Sequence, residues 1–124
     1  MQAPHYTGLN CRPHWLPPRQ TIEEDPIPYY ILSAHDIKND EEYAKYSAAA
    51  AKVMQAIPNL KVIKFSGRRD YELYEGQRPA TQVALFEFES EEVYRTFYYS
   101  KEYQEIKKLR LSAADTQFII GMKP

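Results

Sequence analysis

The sequence predicts an α+β domain: one four-stranded antiparallel sheet carrying its helices on one face. Three observations predict it. The stretch Thr81 to Arg110, TQVALFEFESEEVYRTFYYSKEYQEIKKLR, reads as a strand running into a helix, a break, and a second helix. A segment before it, Pro28 to Ile57, reads as a strand followed by a long amphipathic helix, and two short apolar strands fill out the pattern. In the Thr81 strand, Val83, Leu85 and Glu87 face one way while Ala84, Phe86 and Phe88 face the other. Two mainly apolar faces put this strand in the middle of a sheet covered on both sides.

Residues 1–27 stand apart as a proline-rich arm. Pro4, Pro13, Pro17, Pro18 and Pro26 deny them helix and central strand. Trp15 and Leu16 within the arm are candidates to dock on the body or on a partner chain. The domain itself is expected over 28–124. Its first strand, PYYILSAHDI, turns Tyr30, Leu32 and Ala34 to one face and Tyr29, Ile31, Ser33 and His35 to the other. Asn39 is a candidate N-cap with Glu42 at the third helical position, a capping-box arrangement. Tyr43, Tyr46, Ala50, Val53, Met54 and Ile57 then recur at helical spacing as a buried stripe, and Pro58 ends the helix.

The second strand starts at Leu60. Gly67 and the Arg68–Arg69 pair mark a bend, after which YELYEG resumes alternation with Tyr71, Leu73 and Glu75 on one side. Gly76 to Pro79 is turn chemistry. Ser90 and Ser100 cap the two later helices, with Glu91, Glu92 and Glu102 placed to suit the positive helix end. Thr116 to Ile120 is the last strand. Strand, helix, strand, strand, helix, strand is the ferredoxin-like plan, with strand order 4-1-3-2. One sheet face is then left bare and apolar, and a second copy of the same sheet is its simplest cover, so a homodimer is expected.

Bulk composition excludes several classes. Sixteen Lys and Arg against seventeen Asp and Glu leave a net charge of −1, without the basic excess of a nucleic-acid binder. The strand QVALFEFES echoes an RNA-recognition strand, but Val83 and Leu85 stand where stacking aromatics are needed. No apolar run is long enough to span a bilayer and no signal peptide opens the chain, so no membrane partner is expected. Cys11 is the only cysteine, which allows no intrachain disulfide and makes the cytoplasm the expected location. His5, Cys11 and His14 match no zinc spacing, so no metal is expected. Of the eleven tyrosines, ten lie between Tyr29 and Tyr103, where apolar rings with polar tips suit a pocket wall or an interface.

YELYEGQRPATQVALFEFES followed by YYSKEYQEIKKLRLSAA resembles the family known as domain of unknown function 1330, in the dimeric α+β barrel superfamily. The resembling pattern is Glu75–Gly76, Glu87–Phe88–Glu89–Ser90, Ser100–Lys101–Glu102–Tyr103–Gln104 and Arg110, within about Tyr29 to Gly121. The last strand departs from it, ending Ile119–Ile120–Gly121–Met122 where relatives carry Glu-Gly after an apolar run. The resemblance implies the barrel fold and a superfamily that includes cofactor-free monooxygenases, polyketide cyclases, lactone isomerases and haem enzymes.

A candidate pocket is expected between sheet and helices, built from Ser33, His35, Tyr71, Glu75, Glu87, Tyr103, Lys107 and Arg110. Tyr103, Lys107 and Arg110 sit at i, i+4 and i+7 and share a helix face. Arg110 has two readings: a structural clasp on Glu75 or Glu87, or an anchor for an anionic or carbonyl group. Glu87, His35 and Tyr103 are the candidate catalytic groups; Arg110, Glu75, Tyr71, Ser33 and Lys107 the candidate substrate contacts. A His35–Glu87 dyad is excluded by strand geometry, which separates them by five residues, roughly 16 Å at ~3.3 Å each. Neither helix carries an axial histidine for haem, and no cofactor is expected. The expected function is cofactor-independent proton transfer, of cyclase, isomerase or lyase type, on a small organic or polyketide-like substrate. The alternative is a non-catalytic, ligand-binding or stress-type barrel.

Overall fold

The computed structural model describes Trp15 and residues 26–67, 70–77 and 80–124. His5, Cys11, His14, Leu16, the Arg68–Arg69 pair and Pro79 lie outside the described residues. The elements are β1 (Tyr29–Ile37), α1 (Asp40–Gln55), β2 (Lys61–Ser66), β3 (Gln82–Phe88), α2 (Glu91–Tyr98), α3 (Lys101–Ala113) and β4 (Ala114–Met122). They form one four-stranded sheet in the order β2-β3-β1-β4 with every neighbour antiparallel. This is the ferredoxin-like fold.

Local chemistry sets the helix starts. Asn39 Oδ1 accepts from Glu42 N at 3.0 Å, Ser90 Oγ from Val93 N at 3.1 Å, and Ser100 Oγ from Tyr103 N at 3.1 Å. Each cap satisfies a backbone donor that the first helical turn leaves free. The other half of the expected capping box is replaced, because the Glu42 carboxylate accepts from Lys45 Nζ at 3.0 Å. Between α1 and β2 the chain turns at Asn59, whose φ of 63° is left-handed.

Two predicted strands differ in extent. The expected continuation of the second strand through YELYEG does not form, and residues 71–77 are irregular. β3 spends its ladder on β1 and on Lys61–Ser66, so the strand next in sequence offers Tyr71 to Glu75 no edge to join. The segment folds on itself instead: the Tyr71 hydroxyl donates to Ala80 O at 2.5 Å, and Gly76 turns with φ 131°. β4 is longer than expected because β1 offers it a partner from Ile37↔Ala114 to Tyr30↔Met122.

The core fills the space between helices and sheet. Ile31, Ile57, Phe88, Val93, Phe97 and Tyr103 form its buried cluster, with Phe88 edge-on to Tyr94 at 4.9 Å and Phe97 against Tyr103 at 4.7 Å. Trp15 from the arm packs against this cluster, its ring 6.1 Å from Phe97. Gly121 is required by packing: a Cβ there would lie 2.2 Å from the Tyr29 hydroxyl, which crosses β4 at that point. The other sheet face carries Phe118, Ile120 and Met122, all exposed. No helix among the described residues is long and apolar enough to cross a membrane.

Candidate functional site

Between the sheet and α1 and α3 lies a cavity of about 540 Å³. Alternation dictates its floor: Ile31, Ser33 and His35 of β1 beside Gln82, Ala84, Phe86 and Phe88 of β3. Tyr43, Tyr46, Ala50 and Met54 of α1 and Tyr103 of α3 wall it, and the edge-strand residues Val62 and Phe65 border it, both more than half exposed. One end is apolar, around Ile31, Phe88 and Phe97. The other is polar, where His35 and Gln82 meet the tyrosines.

A bulge builds the polar end. β1 and β4 shift register between Ala34↔Phe118 and His35↔Thr116, leaving Gln117 as an extra residue. The shift sets Thr116 opposite His35, whose Nδ1 lies 3.0 Å from Thr116 Oγ1. Gln117 turns outward, and its Nε2 donates to Asp36 at 3.1 Å. The Arg110 guanidinium reaches the same hydroxyl from α3, donating to Thr116 Oγ1. It also lies over the Tyr46 ring, 5.7 Å from its centroid. The Tyr46 and Tyr103 hydroxyls are hydrogen-bonded to each other at 2.7 Å, and the Tyr43 hydroxyl donates to Gln82 Oε1 at 2.8 Å.

Electrostatics at this end are set by a buried cation. Arg110 is only 2% exposed, and its Nε has no hydrogen-bond partner. Burial works against its charge, but the Tyr103 and Tyr46 oxygens more than offset that and hold its pKa above the ordinary arginine value. His35 is pushed down to about 4, by burial first and by the Arg110 charge second, with Asp36 acting weakly the other way. The imidazole is therefore neutral at physiological pH. Burial raises Tyr43 to about 12 despite Arg110. Burial and the adjacent Tyr103 hold Tyr46 well above the usual phenol range.

Of the residues predicted to build the pocket, Ser33, His35 and Tyr103 line it. Arg110 lies behind the tyrosines. It is not a clasp: among the described residues no carboxylate pairs with it. Lys107 sits at the side, its Nζ donating to the Tyr98 hydroxyl at 3.2 Å. Glu87 lies on the opposite face of the sheet, 3.7 Å from Lys61, because alternation that points Phe86 and Phe88 into the cavity points Glu87 away. Glu75 is exposed in the irregular segment, and the Tyr71 hydroxyl is spent on Ala80 O. Four residues escaped sequence reasoning: Tyr43, Tyr46, Gln82 and Thr116. The two tyrosines carried a signal, since a buried phenol needs a partner for its hydroxyl. Thr116 carried none, because its placement depends on the bulge. Among the described residues no group of three or more potential metal ligands occurs.

The fold and cavity define a ferredoxin-like α+β protein with a pocket between its sheet and its helices. The chain belongs to the family described as domain of unknown function 1330, matched over residues 28–123. No curated protein matches it. Solved structures do. A protein of unknown function from Rhodopseudomonas palustris is similar at 19% identity and TM-score 0.65, over 82% of this chain and 85% of that one. The hydroxynitrile lyase of Passiflora edulis is similar at 15% identity and TM-score 0.61, over 82% and 95%. A dimeric ferredoxin-like protein of unknown function from Thermobifida fusca is similar at 12% identity and TM-score 0.58, over 80% and 92%. At these identities the likeness establishes the fold.

Proposed function

We propose that this protein is a cofactor-independent enzyme that moves a proton on a small, largely apolar carbonyl compound, in a cyclisation, isomerisation or elimination. The observation that carries the reading is the cavity itself: about 540 Å³, apolar at one end, with a neutral buried histidine and tyrosine hydroxyls converging at the other. A barrel whose polar residues only held the fold together would have no need to keep this volume open. The lyase activity of the structurally similar Passiflora edulis protein fits such chemistry on this fold.

His35 is the base. In the tautomer whose Nδ1–H donates to Thr116 Oγ1, Nε2 is left as the free acceptor for the cavity. Nε2 takes the proton from a carbon next to the substrate carbonyl, and the C–H electron pair moves onto the carbonyl oxygen as an enolate. Tyr103 donates a hydrogen bond to that oxygen. The same imidazolium then returns the proton to carbon or to a leaving group. A pKa of about 4 makes a weak resting base, but the enolate charge opposes that of Arg110 and raises the imidazole as the proton transfers. The bare sheet face, with Phe118, Ile120 and Met122, receives a second copy of the chain, in keeping with the dimeric Thermobifida fusca relative.

Proton exchange tests the chemistry without knowledge of the full reaction. Aryl ketones and diketones incubated in D₂O are followed by ¹H NMR for loss of the carbon-bound proton. A ketone that fits should exchange on the order of a hundredfold faster than in buffer, and His35→Gln should return it to background. Ketones that bind without exchanging, or a panel in which none binds, would overturn the enzymatic reading.

A further inference from the structure

The hydroxyl protons around Arg110 do not add up to a closed network. Arginine donates from five N–H groups and accepts nothing. Arg110 is almost wholly buried, gives one bond to Thr116, keeps Nε unpartnered, and faces no carboxylate among the described residues. The cavity therefore has a permanent positive charge behind its wall. Tyr46 and Tyr103, which stand between that charge and the cavity, own one hydroxyl proton each. Their mutual hydrogen bond at 2.7 Å uses one of the two. Among the described residues no acceptor takes the second. Tyr43 differs, since its proton is committed to Gln82 Oε1.

We infer that Tyr46 and Tyr103 form an oxyanion site with Arg110 as its positioning residue, which selects neutral carbonyl or phenolic compounds and holds them as the enolate or phenolate. The inference rests on the proposed reading only in using the same cavity. The free phenol proton is the direct contact to the ligand oxygen, and the guanidinium acts through the two rings without touching it. Tyr46, held above the usual phenol range, stays a donor and does not itself ionise. A fixed cation and a fixed donor stabilise a developing oxyanion more than water can, because neither has to reorient as the charge forms. They also set its size. A carboxylate presents two oxygens with about four lone-pair sites, which one free hydroxyl proton cannot satisfy, whereas a single oxyanion matches it. Of the other titratable groups at this end, His35 and Tyr43 are neutral, and the Asp36 carboxylate acts only weakly on His35 while accepting from Gln117 on the outer side. One of the two sequence readings of Arg110 placed it in direct contact with such a group; the geometry puts a pair of tyrosines in front of it.

Para-nitrophenol reads this directly, because its phenol and phenolate differ in colour. Titrated while bound to the full-length protein, it should ionise at least about one pH unit lower than in buffer, a tenfold preference for the anion. Replacing both hydroxyls together, Tyr103→Phe with Tyr46→Phe, which keeps the ring volumes, should abolish most of that shift while the phenol still binds, whereas either change alone leaves one hydroxyl proton free and should lose less of it. Arg110→Met should also abolish most of it, and the shift should survive in His35→Gln. Benzoate should compete at least about tenfold more weakly than nitrophenolate. A bound phenol with an unshifted pKa, no saturable colour change, or benzoate competing equally well would overturn the inference. If Arg110→Met does not fold, the double Phe variant decides. Failure of proton exchange with the nitrophenol shift intact removes the base and leaves the oxyanion site. Exchange with no nitrophenol shift does the reverse.

Discussion

The two faces of this sheet begin from the same alternation and end as opposite solutions. On the helix-covered face, β1 and β3 present Ser33, His35 and Gln82 to a cavity whose far wall hides a cation. On the other face, Glu87 sits in register with Lys61 and pairs with it at 3.7 Å, beside Phe118, Ile120 and Met122. The helix face keeps its charge buried and lacks a carboxylate among the described residues. The open face keeps its ion pair near the surface and its apolar side chains uncovered. The difference teaches what each face would take up on the proposed reading: a ligand oxygen on one side, a second copy of the chain on the other.

The largest effect is expected on the open face. If a second copy covers it, wild-type protein should sediment at twice 14.6 kDa. Ile120→Glu would bury a carboxylate in that contact, at a cost of several kcal/mol, on the order of 3 or more and hence more than a hundredfold in dissociation constant. The variant should sediment at 14.6 kDa with an unchanged circular dichroism spectrum, because Ile120 is already 44% exposed on the single chain. A wild-type monomer would break the comparison, leaving the face uncovered.

The next effect belongs to the helix face and depends on pH. His35 titrates near 6.5 when unfolded and at about 4 when folded. Below the unfolded value the open chain binds a proton that the folded chain refuses. The stabilisation is thus complete above pH 6.5, is lost as pH falls toward 4, and amounts to about 3 kcal/mol over that window. In urea melts across it, His35→Gln should flatten the acid loss of stability relative to wild type. Equal slopes would mean that His35 titrates normally and that Arg110 does not act on it.

The plan of the fold was legible in the sequence because it rests on short-range signals. Asn39, Ser90 and Ser100 cap helices where their type and spacing place them, and period-two alternation sorts β1 and β3 into their faces. The site was half legible for the same reason. Ser33, His35 and Tyr103 follow from alternation and helical spacing. Glu87 misled because its rarity in a strand drew attention that its own parity contradicted. Tyr71 and Glu75 misled because alternation in YELYEG is a strand signal only where a neighbour takes it up, and β3, the strand that follows, is already paired on both sides. Thr116 was invisible: a single extra residue at Gln117 decides which β4 side chain meets His35. The stabilising partner of Arg110 was equally hidden, since two phenols of Tyr46 and Tyr103 stand where a carboxylate was the natural expectation.

The smallest effect separates the two faces most sharply, because it asks whether Arg110 belongs to the fold or to the site. A buried ion pair broken on one side strands the other charge and costs about 3–5 kcal/mol. Arg110 has no such partner among the described residues, so removing its charge strands nothing. Arg110→Met keeps most of the stem packing, gives up the bond to Thr116, and relieves the desolvation of a guanidinium that is 98% buried by exposed area. Thr116 can still bond His35. The losses and the relief offset one another, and the urea midpoint should move by about 1 kcal/mol or less in either direction. The His35 pKa should rise in the same variant, since the guanidinium is the second cause of its depression; ¹H NMR of the imidazole protons measures that. A loss above about 3 kcal/mol would mean that Arg110 is a structural tie after all. A near-neutral change with a raised His35 pKa leaves the cation where the geometry puts it, charged, buried and beside the oxygens of Thr116, Tyr46 and Tyr103 rather than a carboxylate.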